Sequence, residues 1–224
     1  MTDISALIRL CPPPGNPMVI DWEVVEAALG MPLPSDYRQL AETYGPGRFN
    51  DYLAVFHPHG VTEYVNLTGP MSARIRGQLH QQERQGRFPV PHDPDSLFAI
   101  GSTDNGEYLF WITNPAEDPD RWRITVNEAR GPGWFDYDGN LTAFLASVLA
   151  GRIRVPLFPK SLTEQTPQFT PSHPVLYKPA PTPDQTPTDT NAIRIWAQAN
   201  GYSVPPRGRI PPNVRQAWED AHRA

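Results

Sequence analysis

Cysteine is nearly missing from this chain of 224 residues, with Cys11 standing alone. A single thiol excludes an internal disulfide and fits a reducing cytoplasm. No run of residues is apolar enough for long enough to span a bilayer. The apolar stretch from Ile4 to Leu10 is too short for a signal peptide and has no cleavage pattern behind it. Lysine is scarce as well, two residues against seventeen arginines, the bias expected of a GC-rich genome. No Walker loop, nucleophile elbow or His-x-Glu zinc signature occurs.

The side chains that could still carry chemistry are few. His57 and His59 could face one way as metal ligands, but Pro58 interrupts them and no third ligand lies nearby, so a solvated loop is expected. Glu117, Asp118 and Asp120 fall in a Pro-rich turn, where carboxylates solvate a loop more readily than they share a proton. Asp104 and Glu107 flank an Asn105-Gly106 turn, and its geometry needs them before any reaction would. The expectation is no catalytic site, no metal and no cofactor.

What the chain does have, up to about residue 155, is a patterned domain large enough for a real core. Trp22 to Leu29 carries apolar residues at helical spacing between Asp21, a candidate cap, and Gly30, a stop. A second helix is expected from Pro34 to Tyr44, opened by Ser35-Asp36 and closed by Gly45. Tyr52 to Phe56 reads as a strand and Ser72 to Arg84 as a polar-faced helix. Leu97 to Thr113 holds two β-type runs joined by Asp104-Asn105-Gly106, a strong hairpin signal. Trp122 to Val126 adds a strand, and Leu141, Phe144, Leu145, Val148 and Leu149 line a closing helix capped near Asn140. Helices, then an antiparallel meander, then a helix predict an α+β domain over residues 1–155.

Composition changes sharply after that. The stretch 156–189 is rich in proline, threonine and serine with little apolar periodicity, and it is expected to be a disordered or polyproline-like tether. Charge changes with it. The whole chain is at −5, yet from residue 191 on five arginines face only Glu219 and Asp220, which gives the tail +3 and leaves −8 on the rest. An acidic body with a basic module at its end suits contact with a polyanion through that end alone.

The tail, residues 190–224, is organised around Arg207-Gly208-Arg209. Ile193, Trp196, Ala197 and Asn200 recur at helical spacing, with Thr190 or Asn191 placed to cap and Gly201 to stop. Pro211 fits the first turn of a second helix whose face is Val214, Ala217, Trp218 and Ala221. Neither helix would persist alone, so Trp196, Trp218, Val204 and Ile210 are expected to form a shared small core. In an extended Arg-Gly-Arg, the two arginine side chains leave the backbone on one side about 6.5 Å apart and can spread in opposite directions along a groove. Gly208 lets the backbone approach closely. DNA's minor groove, about 6 Å wide, admits such a strand, and it focuses negative potential most where AT-rich sequence narrows it.

The order Ile193-x-x-Trp-Ala, Asn200-Gly-Tyr-x-Val, Arg207-Gly-Arg-Ile-Pro-x-x-Val214 resembles the DNA-binding domain of the Lsr-type nucleoid-associated silencers of actinobacteria. That resemblance implies an Arg-Gly-Arg loop in the minor groove of AT-rich duplex DNA, so Arg207, Gly208 and Arg209 take that role. Arg194 and Arg215, part of the tail's basic surplus, are expected to join them as DNA-binding residues. Pro205-Pro206 stand where the family usually has polar residues, and the family's N-terminal dimerisation arm is absent. In the larger domain, Trp22-Glu-x-x-Glu-x-x-Leu-Gly, Leu33-Pro-x-Asp-Tyr-Arg, Tyr44-Gly, the Gly101 to Trp111 hairpin, Trp122 and Phe144-Leu resemble the SUKH superfamily, also called Smi/Knr-type domains. This implies a non-catalytic protein-binding module, with a toxin as one class of partner. The expected protein is therefore a nucleoid-associated, DNA-binding regulator with an unidentified protein partner. The alternative is an immunity protein that neutralises a toxin and whose tail only localises it to DNA. No membrane partner is expected.

Overall fold

The structure, a computed structural model, describes residues 4–15, 17–86, 88–173, 190–205 and 210–222. The chain divides into two compact units, Met1–Val175 and Leu176–Ala224.

The first unit is built on the expected hairpin. β3 (Leu97–Thr103) and β4 (Tyr108–Ile112) pair antiparallel with Phe98 opposite Trp111. At the turn, Gly106 has φ +93°, a conformation open to glycine at no steric cost. β5 (Arg123–Asn127) and β6 (Trp134–Tyr137) extend the sheet on one side. On the other side come β2 (Leu53–Val55), β1 (Gly47–Phe49) and β7 (Phe169–Pro171). The sheet has seven strands in the order β6-β5-β4-β3-β2-β1-β7, and every neighbouring pair is antiparallel.

Helices pack against this sheet as their apolar residues require. α1 (Ser5–Leu10), α3 (Ser35–Tyr44) and the closing helix α5 (Leu141–Leu149) contact one another through α5, and α4 (Met71–Gln85) lies against β3. Seven of the nine α5 residues are buried, because α1, α3 and β5 leave it almost no solvent face. Tyr37 of α3 meets Trp111 edge-on at 5.1 Å, and its hydroxyl donates to the Phe56 carbonyl at 2.8 Å. With the indole and phenol rings both buried, this contact joins helix layer to sheet.

Helix ends follow the sequence in two cases and depart from it in a third. Asp21 accepts from the Val24 amide at 3.2 Å to cap α2 (Trp22–Leu29), and Gly30 ends that helix at φ +69°. Asn140 caps α5 through the Ala143 amide at 2.9 Å. α3 differs, since neither Ser35 nor Asp36 caps it. The Ser35 amide donates instead to Asp120 at 2.6 Å, while Asp36 turns inward. Asp120 thus does more than solvate a turn: it supplies a cap from 85 residues away.

The expected tether is corrected at its start. Past residue 155 the chain still buries Phe158 and Leu162, forms the short α6 (Ser161–Glu164), and returns as β7 to the sheet edge. Phe169 explains the docking. Its ring sits 5.0 Å from both Tyr44 and Phe49, over Gly47, where a Cβ would lie only 2.2 Å from it. Asn50, also buried, donates to the Leu162 carbonyl and accepts from the Gln168 amide. Two rings and a buried amide outweigh the local Pro-Thr composition. Residues 174–189, the remainder of the expected tether, lie outside the described residues.

Candidate nucleic-acid interface

The second unit contains α7 (Thr190–Ala199) and α8 (Pro212–Ala221), each ten residues long. Their lengths are marginal for isolated helices, so packing must hold them. Ile193, Ala197, Ile210 and Val214 form the buried centre, with Trp196, Val204 and Trp218 packed around it. α7 ends as its sequence demands. Gly201 takes φ +78°, its amide reaching the Gln198 carbonyl and the Tyr202 amide the Ala197 carbonyl. α8 begins one residue later than expected, with Pro211 as its cap and Pro212 in the first turn.

Aromatic rings close the outer side of this small core. Trp196 stacks on Tyr202 at 5.8 Å, and Trp218 stacks on His222 at 4.4 Å. Both tryptophans are half-buried and serve the packing, as their helical spacing implied. His222 has no counterpart in the sequence reading. Its Nδ1 lies 2.8 Å from the Trp218 carbonyl, one helical turn back, which holds the ring over the indole.

Of the five expected DNA-binding residues, Arg194 lies on α7 and Arg215 on α8. Arg194 is half-buried, its guanidinium donating to the Thr190 carbonyl at 3.4 Å; Arg215 is exposed. Arg207, Gly208 and Arg209 lie outside the described residues, as does Pro206. The residues nearest them on either side that enter the core, Val204 and Ile210, are described: Val204 is half-buried and Ile210 is 6 % exposed.

Among the candidate chemical side chains of the first unit, His57, Glu107 and Asp104 have structural partners. His57 is buried, at 3 % exposure, which corrects its expected place in a solvated loop. Its Nε2 lies 3.2 Å from the Ala41 carbonyl, and its Nδ1 accepts from the His59 amide at 2.9 Å. Burial pushes its pKa down to about 4, so the ring is neutral and pins a tight turn. Glu107 is buried too, accepting from the Tyr52 hydroxyl at 2.9 Å and from the Thr103 hydroxyl. Desolvation first, and the Glu107 charge after it, raise the Tyr52 phenol to about 12. Arg48 bonds Asp104 and the Tyr52 carbonyl, tying the β1–β2 turn to the hairpin tip. Such burial is invisible in a sequence: a histidine in a polar loop and a glutamate beside a turn look solvated until the sheet closes over them.

Among the described residues, no group of three or more His, Cys, Asp or Glu is placed to hold a metal ion, and no helix is long and apolar enough to cross a membrane. The family model described as SMI1 / KNR4 family (SUKH-1) matches residues 19–147. The model described as Lsr2 DNA-binding domain matches residues 185–221. No solved structure matches the chain.

Proposed function

We propose that this chain, which belongs to the SMI1/KNR4 (SUKH-1) family, is a non-catalytic adaptor that joins a protein partner to DNA. The second unit grips the minor groove of AT-rich duplex through Arg207-Gly208-Arg209, with Arg194 and Arg215 near the phosphates. The first unit binds the partner.

One observation carries this reading. Val204 and Ile210, the core residues flanking the Arg-Gly-Arg segment, are both packed into one small core with two helices. A segment whose two flanking residues are anchored in a folded core loses less freedom on binding than a free arginine-rich tail would. The match to the Lsr2 DNA-binding domain over residues 185–221 supports the same role, and the surplus of arginine in an otherwise acidic chain suits it. The protein is proposed to act in the cytoplasm, on the nucleoid.

The test is a titration of the full chain against AT-rich and GC-rich duplexes of equal length. The AT-rich duplex is expected to bind more tightly, and Arg207→Ala with Arg209→Ala to abolish the difference. Equal affinity for both duplexes would remove the minor-groove reading. A second reading, a toxin-neutralising protein whose tail only localises it, is favoured by the family match covering more than half of the chain. Chromatin immunoprecipitation beside a pull-down from the native host separates the two. A toxin in the pull-down, with no enrichment of AT-rich chromatin, would favour the second.

A further inference from the structure

Up to residue 173 the chain has twenty Asp and Glu against thirteen Lys and Arg, yet three of those cations fall within nine residues, at Arg152, Arg154 and Lys160. They follow α5 directly. All three are exposed, and none has an ion-pair partner among the described residues. Arg154 and Lys160 line an open cleft of about 210 Å³ whose walls include Ile153, Phe158 and Leu162. Glu164 is the one acidic side chain on that lining.

Size and polarity narrow what could enter. Pockets for cofactors and drug-sized ligands run from about 300 to 1,000 Å³, so this cleft suits one or two side chains. A nucleic-acid backbone would satisfy the cations and leave the apolar walls wet. A segment with one apolar side chain between carboxylates satisfies both, since the apolar group leaves water as the charges pair at the rim. The surplus of carboxylates elsewhere on the unit repels such a segment and directs it to this corner.

We infer that the corner formed by Arg152, Arg154, Lys160 and the adjoining cleft is a docking site for an acidic segment of a protein partner, which inserts an apolar side chain between Arg154 and Lys160. This rests on the reading of the first unit as a protein-binding module, and it is independent of the DNA contact made by the tail. Arg154 and Lys160 give attraction and orientation; the cleft decides which residue sits between them.

The experiment uses the full chain with labelled Ile, Leu and Val methyl groups, followed by NMR. The probes are a short synthetic peptide with a leucine flanked by glutamates, the same peptide with serine for leucine, the same with lysines for glutamates, and a duplex DNA. The glutamate–leucine peptide is expected to shift the Ile153 and Leu162 methyl resonances. In the doubly substituted Arg154→Glu, Lys160→Glu chain its affinity is expected to fall about tenfold, with the lysine peptide gaining instead. Both side chains are exposed, so thermal melting should be unchanged and a folding defect is separable. The serine peptide binding equally well would overturn the site, as would the duplex moving the same methyls or no peptide binding at all. Peptide-induced shifts confined to another surface of the first unit would also overturn it, while leaving the protein-binding reading intact.

Discussion

Asp36, inside α3, accepts a hydrogen bond from the Thr142 amide at 2.9 Å, although 106 residues separate the two. The Thr142 amide is one of the donors that the first turn of α5 leaves without a helical partner, and Asn140 takes the next one, from Ala143. A carboxylate buried at 1 % exposure therefore closes a helix end, and desolvation raises its pKa despite that bond. The polar contact between α3 and α5 is an N-cap supplied by a neighbouring helix.

Removing it should show the difference between a missing partner and a neutral one. Asp36→Ala is expected to cost about 1 to 2 kcal/mol in denaturant unfolding, because the Thr142 amide is left buried without an acceptor. Asp36→Asn keeps an acceptor and sheds the buried charge, so its cost should be less than half of that. Equal losses would mean that the charge, and not the hydrogen bond, is what α5 uses.

His57 sets a pH limit. Its folded pKa, about 4, lies below the ordinary histidine value near 6.5. The unfolded chain therefore binds the proton first, and stability falls as pH drops from about 6.5 toward 4, by roughly 3 kcal/mol in all for this side chain. Asp36, raised by burial, works in the opposite direction at the acid end of that window. The informative quantity is therefore the difference between the wild-type chain and His57→Gln, measured by urea unfolding across the range. A flat difference would show that His57 stays accessible to protons.

The docked strand β7 can be loosened at a single position. In Gly47→Ala the new methyl would lie 2.2 Å from the Phe169 ring and 2.6 Å from the Thr170 carbonyl, so β7 must shift. Amide exchange at Gln168, whose amide donates to the Asn50 side chain at 2.8 Å, and at Ser172, whose amide donates to the Pro46 carbonyl at 2.8 Å, is expected to accelerate by about an order of magnitude. Phe169→Ala should have a similar effect and cost on the order of 2 kcal/mol, less than a fully buried phenylalanine because this ring is half-buried. Unchanged exchange would mean that β7 is held by its neighbours and not by the ring.

The tail should be separable from the body. Val214→Asp places a charge in a core of only four buried residues, Val214 among them, at a cost on the order of several kcal/mol, and should unfold α7 and α8. Circular dichroism would lose that helix signal and DNA affinity would vanish, with the melting of the first unit unchanged. Wild-type binding should weaken with salt at a log–log slope of roughly −2 to −4, as for a module that neutralises about two to four phosphates. A slope near zero would place the energy of binding in contacts other than phosphate.

Local chemistry was enough to read much of this protein from its residues. Asp21, Asn140 and Gly30 act on amides and carbonyls within four positions, and Asn105-Gly106 turns a chain whose flanking residues already favour strands. The spacing of Ile193, Ala197 and Val214 likewise determined the small core of the tail, because helical period alone decides which side chains share a face. Tertiary structure decided the rest. A Pro-Thr stretch becomes β7 only because Phe169 finds Tyr44, Phe49 and a bare Gly47 at a sheet edge. α3 is capped by Asp120, His57 is neutral, and Asp36 serves α5, each through a partner that only the closed fold supplies. Burial and long-range pairing depend on which surfaces meet, and a one-dimensional pattern carries the period of a surface without the identity of what covers it.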